Sequence, residues 1–401
     1  MNQQKIPQQR SPRSQTQRYV GRPIRLPKKC ALPKVLLIAT ILTGVLLVIS
    51  LMILSIALLV GPTERPEGEG DKTDRTEQTP PVTTNSTIPV RLQLPSATSQ
   101  GVYLSTEDGV AIEGIESQHA VLVSMTKNTA VASKAADTVI HPASMTKVMT
   151  LLVACERAAA ANDLLVVKQE MLDRRKDLDG SGELVENTTV LTSAEDSVQI
   201  SVLGKAVTVA DALYLINYQS DTVACLLIAE YIAGSEAEFV KLMNQKAKEI
   251  GLEKTNFVNC TGLTEKDDRH NTTTCREMAA IMACAMNNPT AKKVITSTAK
   301  QTIKLYENGA ATQYKIPFFA DWHNKRLGGE TSVGNVEICG GKTGYEDIPT
   351  ACLVTYAKHS NGEEYVCVTV GRQKDDPNNE INGINNPQAA TDTKTVYQKY
   401  T

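Results

Sequence analysis

The sequence predicts an α/β (α+β) fold, a mainly antiparallel sheet built from both ends of the folded region, flanked by helices and carrying an all-helical lobe. Three observations predict it: a β-rich pair of segments near residue 120, a second pair near residue 360, and a long stretch of helical periodicity between them.

The first pair is 120–124 and 129–133, two β-prone runs around a short polar turn, as in a hairpin. From residue 144 to 159 the apolar residues Met145, Val148, Met149, Leu152 and Val153 recur at helical spacing. The stretch 171–200 is polar and reads as a long surface insertion. Residues 208–233 and 235–250 read as two helices separated at Gly234, and 272–286 as another. The second hairpin pairs 354–356 with 365–370 across a turn at 360–362, and 392–400 closes the domain as a short helix.

The N-terminal quarter has a different texture. Residues 1–34 hold nine of the 42 Lys and Arg residues and no Asp or Glu. The remainder then has 33 basic against 44 acidic residues, a net charge of about −11. A nucleic-acid partner needs basic charge on the folded part, so none is expected. Residues 35–60 form an uncharged apolar run of about 26 residues, longer than the ~20 that cross a bilayer and too long for a cleaved signal core of roughly 7–15. The basic flank predicts a single-pass anchor in the cell membrane, with a cytoplasmic tail over 1–34 and everything after Gly61 outside. Residues 61–98, rich in Gly, Pro, Thr and Glu, read as a disordered linker, leaving 99–401 as the extracytoplasmic folded domain.

Eight cysteines follow the apolar run, with no C-x-x-C pair, so a zinc site is not expected. Cys155, Cys225, Cys284 and Cys352 lie in apolar runs, and mostly free thiols are expected. The histidines His119, His141, His270, His323 and His359 show no metal spacing and are expected to be surface or hydrogen-bonded residues.

The chemistry rests on Ser-x-x-Lys. At a helix start, positions i and i+3 share a face, so a lysine amine held neutral by burial or a second cation can take the serine proton. The pattern occurs three times, as Ser124-Met125-Thr126-Lys127, Ser144-Met145-Thr146-Lys147 and Ser297-Thr298-Ala299-Lys300. Ser124 ends a predicted strand, where i and i+3 point to opposite faces, and Ser297 lies in a polar stretch without a frame. Ser144 follows Pro142 and opens an apolar helix, so it is the predicted nucleophile, with Lys147 its base. Lys342-Thr343-Gly344 falls beside the second hairpin, where a strand-borne lysine and threonine can hold a carboxylate and the glycine admits close backbone approach.

Taken jointly, these motifs and their flanks resemble the low-molecular-mass D-alanyl-D-alanine carboxypeptidases, penicillin-binding proteins of the DD-peptidase and serine β-lactamase superfamily. The likeness runs through Pro142 to Thr150, Ala229 to Ser235, Phe239, Met243-Asn244, Ala247 to Leu252, Thr255 to Leu263, Thr273 to Met278 and Gly341 to Tyr345. It implies removal of the terminal D-alanine from peptidoglycan stem peptides through a Ser144 acyl-enzyme, with β-lactams as inhibitors and no cofactor. It implies also an oxyanion hole from the Ser144 and Tyr345 N–H groups, Ser220 as proton relay, and Lys342, Thr343 and Gly344 as the carboxylate-binding strand. The family's middle motif is Ser-x-Asn; here Ser220-Asp221-Thr222 stands in its place, with Thr222 at the substrate. Taken alone, Ser220 is a helix-face serine. A β-lactamase, or a weakly active penicillin-binding sensor or scaffold, are the alternatives.

Overall fold

Both β-rich pairs become hairpins of one sheet: 119–124, 352–359 and 364–370 are buried almost throughout, whereas 129–134 buries only Ala130 and Ala132. In the computed structural model, the structure describes residues 107–401 except 158–159, 180–187, 191–198, 300, 316–326, 346–350 and 372–387. All of these fall in a single unit, 85–401. The predicted tail, apolar span and linker at 1–98 lie outside the described residues, among which no helix is long and apolar enough to cross a membrane.

The main sheet comprises β1 (Val110–Ala111), β2 (His119–Ser124), β3 (Thr129–Lys134), and four late strands. These are β10 (Ser332–Val333), β11 (Val336–Gly344), β12 (Cys352–His359) and β13 (Glu364–Val370). Their order is β1-β3-β2-β13-β12-β11-β10, antiparallel except for β1 with β3. The two chain ends meet where Val121 lies opposite Val368 and Val123 opposite Val366. Almost every residue of β2, β12 and β13 is buried, as a sheet covered on both faces requires. Two smaller sheets hold β4 (Leu164–Val166), β7 (Ala206–Thr208), β8 (Thr302–Glu307) and β9 (Ala310–Lys315), and β5 (Thr188–Val190) with β6 (Gln199–Ser201).

Eight helices surround these strands among the described residues: α1 (Lys147–Arg157), α2 (Gln169–Asp179), α3 (Val209–Tyr218), α4 (Thr222–Ala233), α5 (Glu236–Ile250), α6 (Cys275–Asn287), α7 (Pro289–Ile295) and α8 (Gln388–Tyr400). On one face of the sheet, α8 is fixed by polar pairs: Thr369 Oγ1 lies 2.9 Å from Thr393 Oγ1, and Thr355 Oγ1 lies 2.9 Å from the Tyr397 hydroxyl. Helix α6 packs against β2, β12 and β13 and also against α1, the central helix of the lobe. Helix α1 is buried from Lys147 to Cys155. Each fully buried Leu or Met in it contributes about 1.5–3 kcal/mol, which commits this helix to the interior.

Two expectations are corrected. The single helix expected over 208–233 is two helices, α3 and α4, broken at Gln219–Asp221. The break has a local cause: Ser220 takes φ +56°, and the Asp221 carboxylate caps α4 by accepting from the Ala224 N–H at 2.7 Å. Ser220 is therefore not a helix-face serine. The second correction concerns the polar insertion, of which 169–179 is the helix α2, tied to the lobe rather than loose on the surface. Its anchor is Arg174, whose guanidinium donates to both Glu265 oxygens at 2.7 and 2.8 Å and to Glu236 at 2.7 Å. The stop at Gly234 stands where the sequence placed it, with the glycine in the left-handed region at φ +79°. The eight cysteines among the described residues are all free, and all but Cys339 are buried.

Candidate active site

Ser144 sits in a 3-10 turn, Ala143–Thr146, that runs directly into α1. In a 3-10 turn, residues i and i+3 eclipse one another, so the side chains of Ser144 and Lys147 stack. The result is a Lys147 Nζ to Ser144 Oγ distance of 3.0 Å. Lys147 is 1 % exposed, while Ser144 is half-buried and reachable from outside. The other two Ser-x-x-Lys copies do not form such a pair. Ser124 ends β2 and its hydroxyl accepts the Lys127 N–H, while the Lys127 amine reaches Glu363. The Ser297 hydroxyl instead engages Tyr218 and Gln301.

Lys342, Thr343 and Gly344 lie at the end of β11, opposite Val354, Leu353 and Cys352. Lys342 is buried, and its ammonium donates to Ser220 Oγ at 3.1 Å and to its neighbour's carbonyl, Thr343 O, at 2.9 Å. Gly344 is needed for contact: a Cβ there would stand 2.3 Å from Cys352 Sγ and 2.8 Å from Pro142 O. Strand β11 therefore presses on the residues that launch the nucleophile turn. Tyr345 follows directly, half-buried. Thr222 is the first residue of α4, one step after the Asp221 cap. The structure thus brings Ser144, Lys147, Ser220 and Lys342 into one cluster, with Thr222, Thr343, Gly344 and Tyr345 on the elements that frame it.

Burial pushes the Asp221 carboxyl up, while its bond from Ala224 and the charges of Arg175 and Lys147 pull against that rise. His141, three residues before the nucleophile, lies against His270 with ring centroids 3.5 Å apart and the ring planes tilted by 39°.

Sequence reasoning missed the side of the site opposite the strand. Lys147 Nζ also donates to the Thr261 carbonyl at 2.6 Å, and Thr150 Oγ1 donates to the Cys260 carbonyl at 2.7 Å. The signal was the segment Asn259-Cys260-Thr261-Gly262, whose polar residues and glycine mark a tight loop without naming its neighbour. That neighbour is the nucleophile turn: a Cβ on Gly262 would fall 1.9 Å from Ala143 O.

A family model described as D-alanyl-D-alanine carboxypeptidase matches residues 106–374, two thirds of the chain and every residue of this cluster. The chain belongs to this carboxypeptidase family, peptidase family S11. Within the family, it is similar to the D-alanyl-D-alanine carboxypeptidase DacF of Bacillus subtilis, 34% identical over 151 residues, 38% of this chain and 35% of that protein. It is similar also to the D-alanyl-D-alanine endopeptidase of Escherichia coli, 26% identical over 241 residues, 60% of this chain and 66% of that protein. The matched segments thus span from about a third to two thirds of these relatives. In fold, the chain is similar to a point variant of a Streptomyces DD-transpeptidase, with a TM-score of 0.57 and 19% identity, covering 71% of this chain and 98% of that one.

Proposed function

We propose that this chain is a serine D-alanyl-D-alanine carboxypeptidase of the bacterial cell envelope, acting on peptidoglycan stem peptides and acylated by β-lactams. The observation that carries the reading is the buried Lys147 amine 3.0 Å from Ser144 Oγ, with a second buried lysine, Lys342, across Ser220. Membership of the carboxypeptidase family supports the substrate class.

In the mechanism, Ser144 Oγ attacks the carbonyl of the penultimate D-alanine while neutral Lys147 takes its proton. The N–H groups of Ser144 and Tyr345 hold the oxyanion. The C–N bond then breaks, and a proton passes through Ser220 to the departing D-alanine amine. Lys342 and Thr343 hold the terminal carboxylate of the substrate, on the strand that Gly344 lets approach the nucleophile. Water then attacks the acyl-enzyme and gives a proton to Lys147, which passes it to the departing Ser144 Oγ, so the shortened peptide leaves as its acid and both side chains return to their starting states. The sequence supports an anchor at 35–60 with the tail inside and this domain outside.

The test is incubation with a fluorescent penicillin, digestion and mapping of the adduct. Label is expected on the Ser144 peptide, absent from Ser144→Ala, and slowed about 10²- to 10⁴-fold in Lys147→Ala. Label on Ser124 or Ser297 instead would sink the assignment. Thr222 favours a second reading, a penicillin-binding protein with slow turnover, since threonine replaces the carbonyl and amide of asparagine with one short hydroxyl. D-alanine release from a stem-peptide analogue separates the two.

A further inference from the structure

We propose that Asn259 is a positioning residue for the Lys147 base, acting through the backbone carbonyl of Thr261; the inference rests on the Ser144 and Lys147 roles just given. A neutral amine has two N–H donors and one lone pair. A carbonyl can accept only an N–H, so the Thr261 oxygen, 2.6 Å from Lys147 Nζ, claims one donor and leaves the lone pair free to face Ser144 Oγ at 3.0 Å. The direction of that carbonyl therefore decides which way the base points.

Asn259 sets the direction. Its Oδ1 accepts from Gly262 N at 2.8 Å, from Thr261 Oγ1 at 3.1 Å and from Thr261 N at 3.2 Å, folding 259–262 into a tight Asx-type turn. Its Nδ2 donates the other way, to Leu263 O at 2.7 Å and Glu265 Oε1 at 3.1 Å. The reversed amide would set NH2 against the Gly262 N–H, so only one orientation satisfies the site. Asn259 is fully buried. The turn is clasped to the nucleophile from two further points: Asn271 Nδ2 donates to Thr146 Oγ1 at 3.0 Å and to Asn259 O at 3.2 Å, and Gly262 meets Ala143 O with no room for a side chain. On the outside, Arg174 holds Glu265, so α2 braces the same loop.

The experiment measures the acylation rate constant and the reversible binding constant of a fluorescent penicillin separately, together with the labelled fraction at completion. Asn259→Ala should lower the acylation rate constant about 10- to 100-fold, the loss expected of a misaimed base, with binding unchanged. Asn259→Ser, whose hydroxyl can close a weaker turn of the same kind, should recover part of the rate; it also decides the matter if the alanine variant fails to fold. In a Lys147→Ala background, Asn259→Ala should change the residual rate by less than about twofold, because two groups acting as a unit are not additive. A merely structural role would lower the labelled fraction or the melting temperature and leave the rate per folded molecule unchanged. That result, or losses that multiply in the double variant, would overturn the proposal while Ser144 still took the label. Absence of label from Ser144 in the unaltered protein would remove the catalytic reading and this inference together.

Discussion

The site has a sheet side and a lobe side, and they are held by different forces. On the sheet side, Lys342 and Thr343 are placed by the backbone ladder of β11 on β12, backed by an apolar core that repeats residue after residue. On the lobe side, Ser220 and the Thr261 carbonyl are placed by single polar atoms: the Asp221 carboxylate, the Asn259 amide and the Asn271 amide. A ladder spreads its stabilisation over many equivalent bonds. A cap network concentrates it in a few groups that have no substitute, because a buried donor left unmatched costs about 1–3 kcal/mol. The lobe side should therefore be the brittle one.

The largest effect tests that contrast directly. Gly262→Ala puts a Cβ 1.9 Å from a backbone oxygen at φ +87°, whereas Gly344→Ala puts one 2.3 Å from a thiol and 2.8 Å from Pro142 O. Both meet backbone, but at Gly262 the two nearest atoms are backbone, at 1.9 and 2.5 Å, and φ is positive, whereas at Gly344 the nearest atom is a side-chain thiol and the backbone oxygen stands at 2.8 Å. Gly262→Ala should cost more than about 4 kcal/mol and Gly344→Ala about 1–3 kcal/mol, read by urea denaturation. Equal costs would mean that the two sides yield alike.

Arg174→Ala should have a middling effect, about 2 kcal/mol. Burial raises the Glu265 carboxyl, but the bonds from Arg174 and Asn259 outweigh it and hold it below the usual range. A carboxyl depressed in the fold gives stability that is present above its unfolded value, about 4.3, and lost as pH falls through the lower folded value. The gap between the protein and Arg174→Ala should thus be full at pH 7 and narrow below about pH 4. A gap that persisted in acid would show that Arg174 acts by packing alone. The smallest effect belongs to the far end of the sheet. Lys127 is 63% exposed and 2.7 Å from Glu363, so Lys127→Ala should cost under about 1 kcal/mol with penicillin labelling intact. Loss of labelling would move the nucleophile to Ser124.

The same contrast explains what the sequence disclosed. Both hairpins of the main sheet and the α1 periodicity were legible, because a packed face must repeat at the period of its element. Ser144 was separable from Ser124 for that reason alone. The break at Ser220 was not read, because apolar residues on either side of it keep a helix-like pattern, and only the cap at Asp221 betrays it. Helix α2 looked like an insertion because it buries only a few apolar side chains, Met171, Leu172 and Leu178, among charged ones, and Arg174 adds the ion pairs to the lobe. The β8–β9 hairpin carried its turn signal, Asn308-Gly309, both at positive φ, and went unread beside the stronger patterns. The role of the 259–262 loop lies in which atoms meet, and spacing along a chain does not encode that.

The free thiols have a consequence for how the protein fails. Burial pushes the Cys225 thiol up to about 12, with Lys147 pulling weakly against it, and raises Cys260 and Cys275 well above the ordinary range. Folded, these sulfurs are inert spectators. Once the chain opens, each returns to a thiol titrating at about 8.5, and one molecule presents a crowd of competing nucleophiles with no native pairing to guide them. In air, scrambled cross-links would then trap the open chain faster than it can close. Shelf life becomes a matter of how often the molecule opens, and a reducing agent, which has no cross-link to break among the described residues, would act as a preservative.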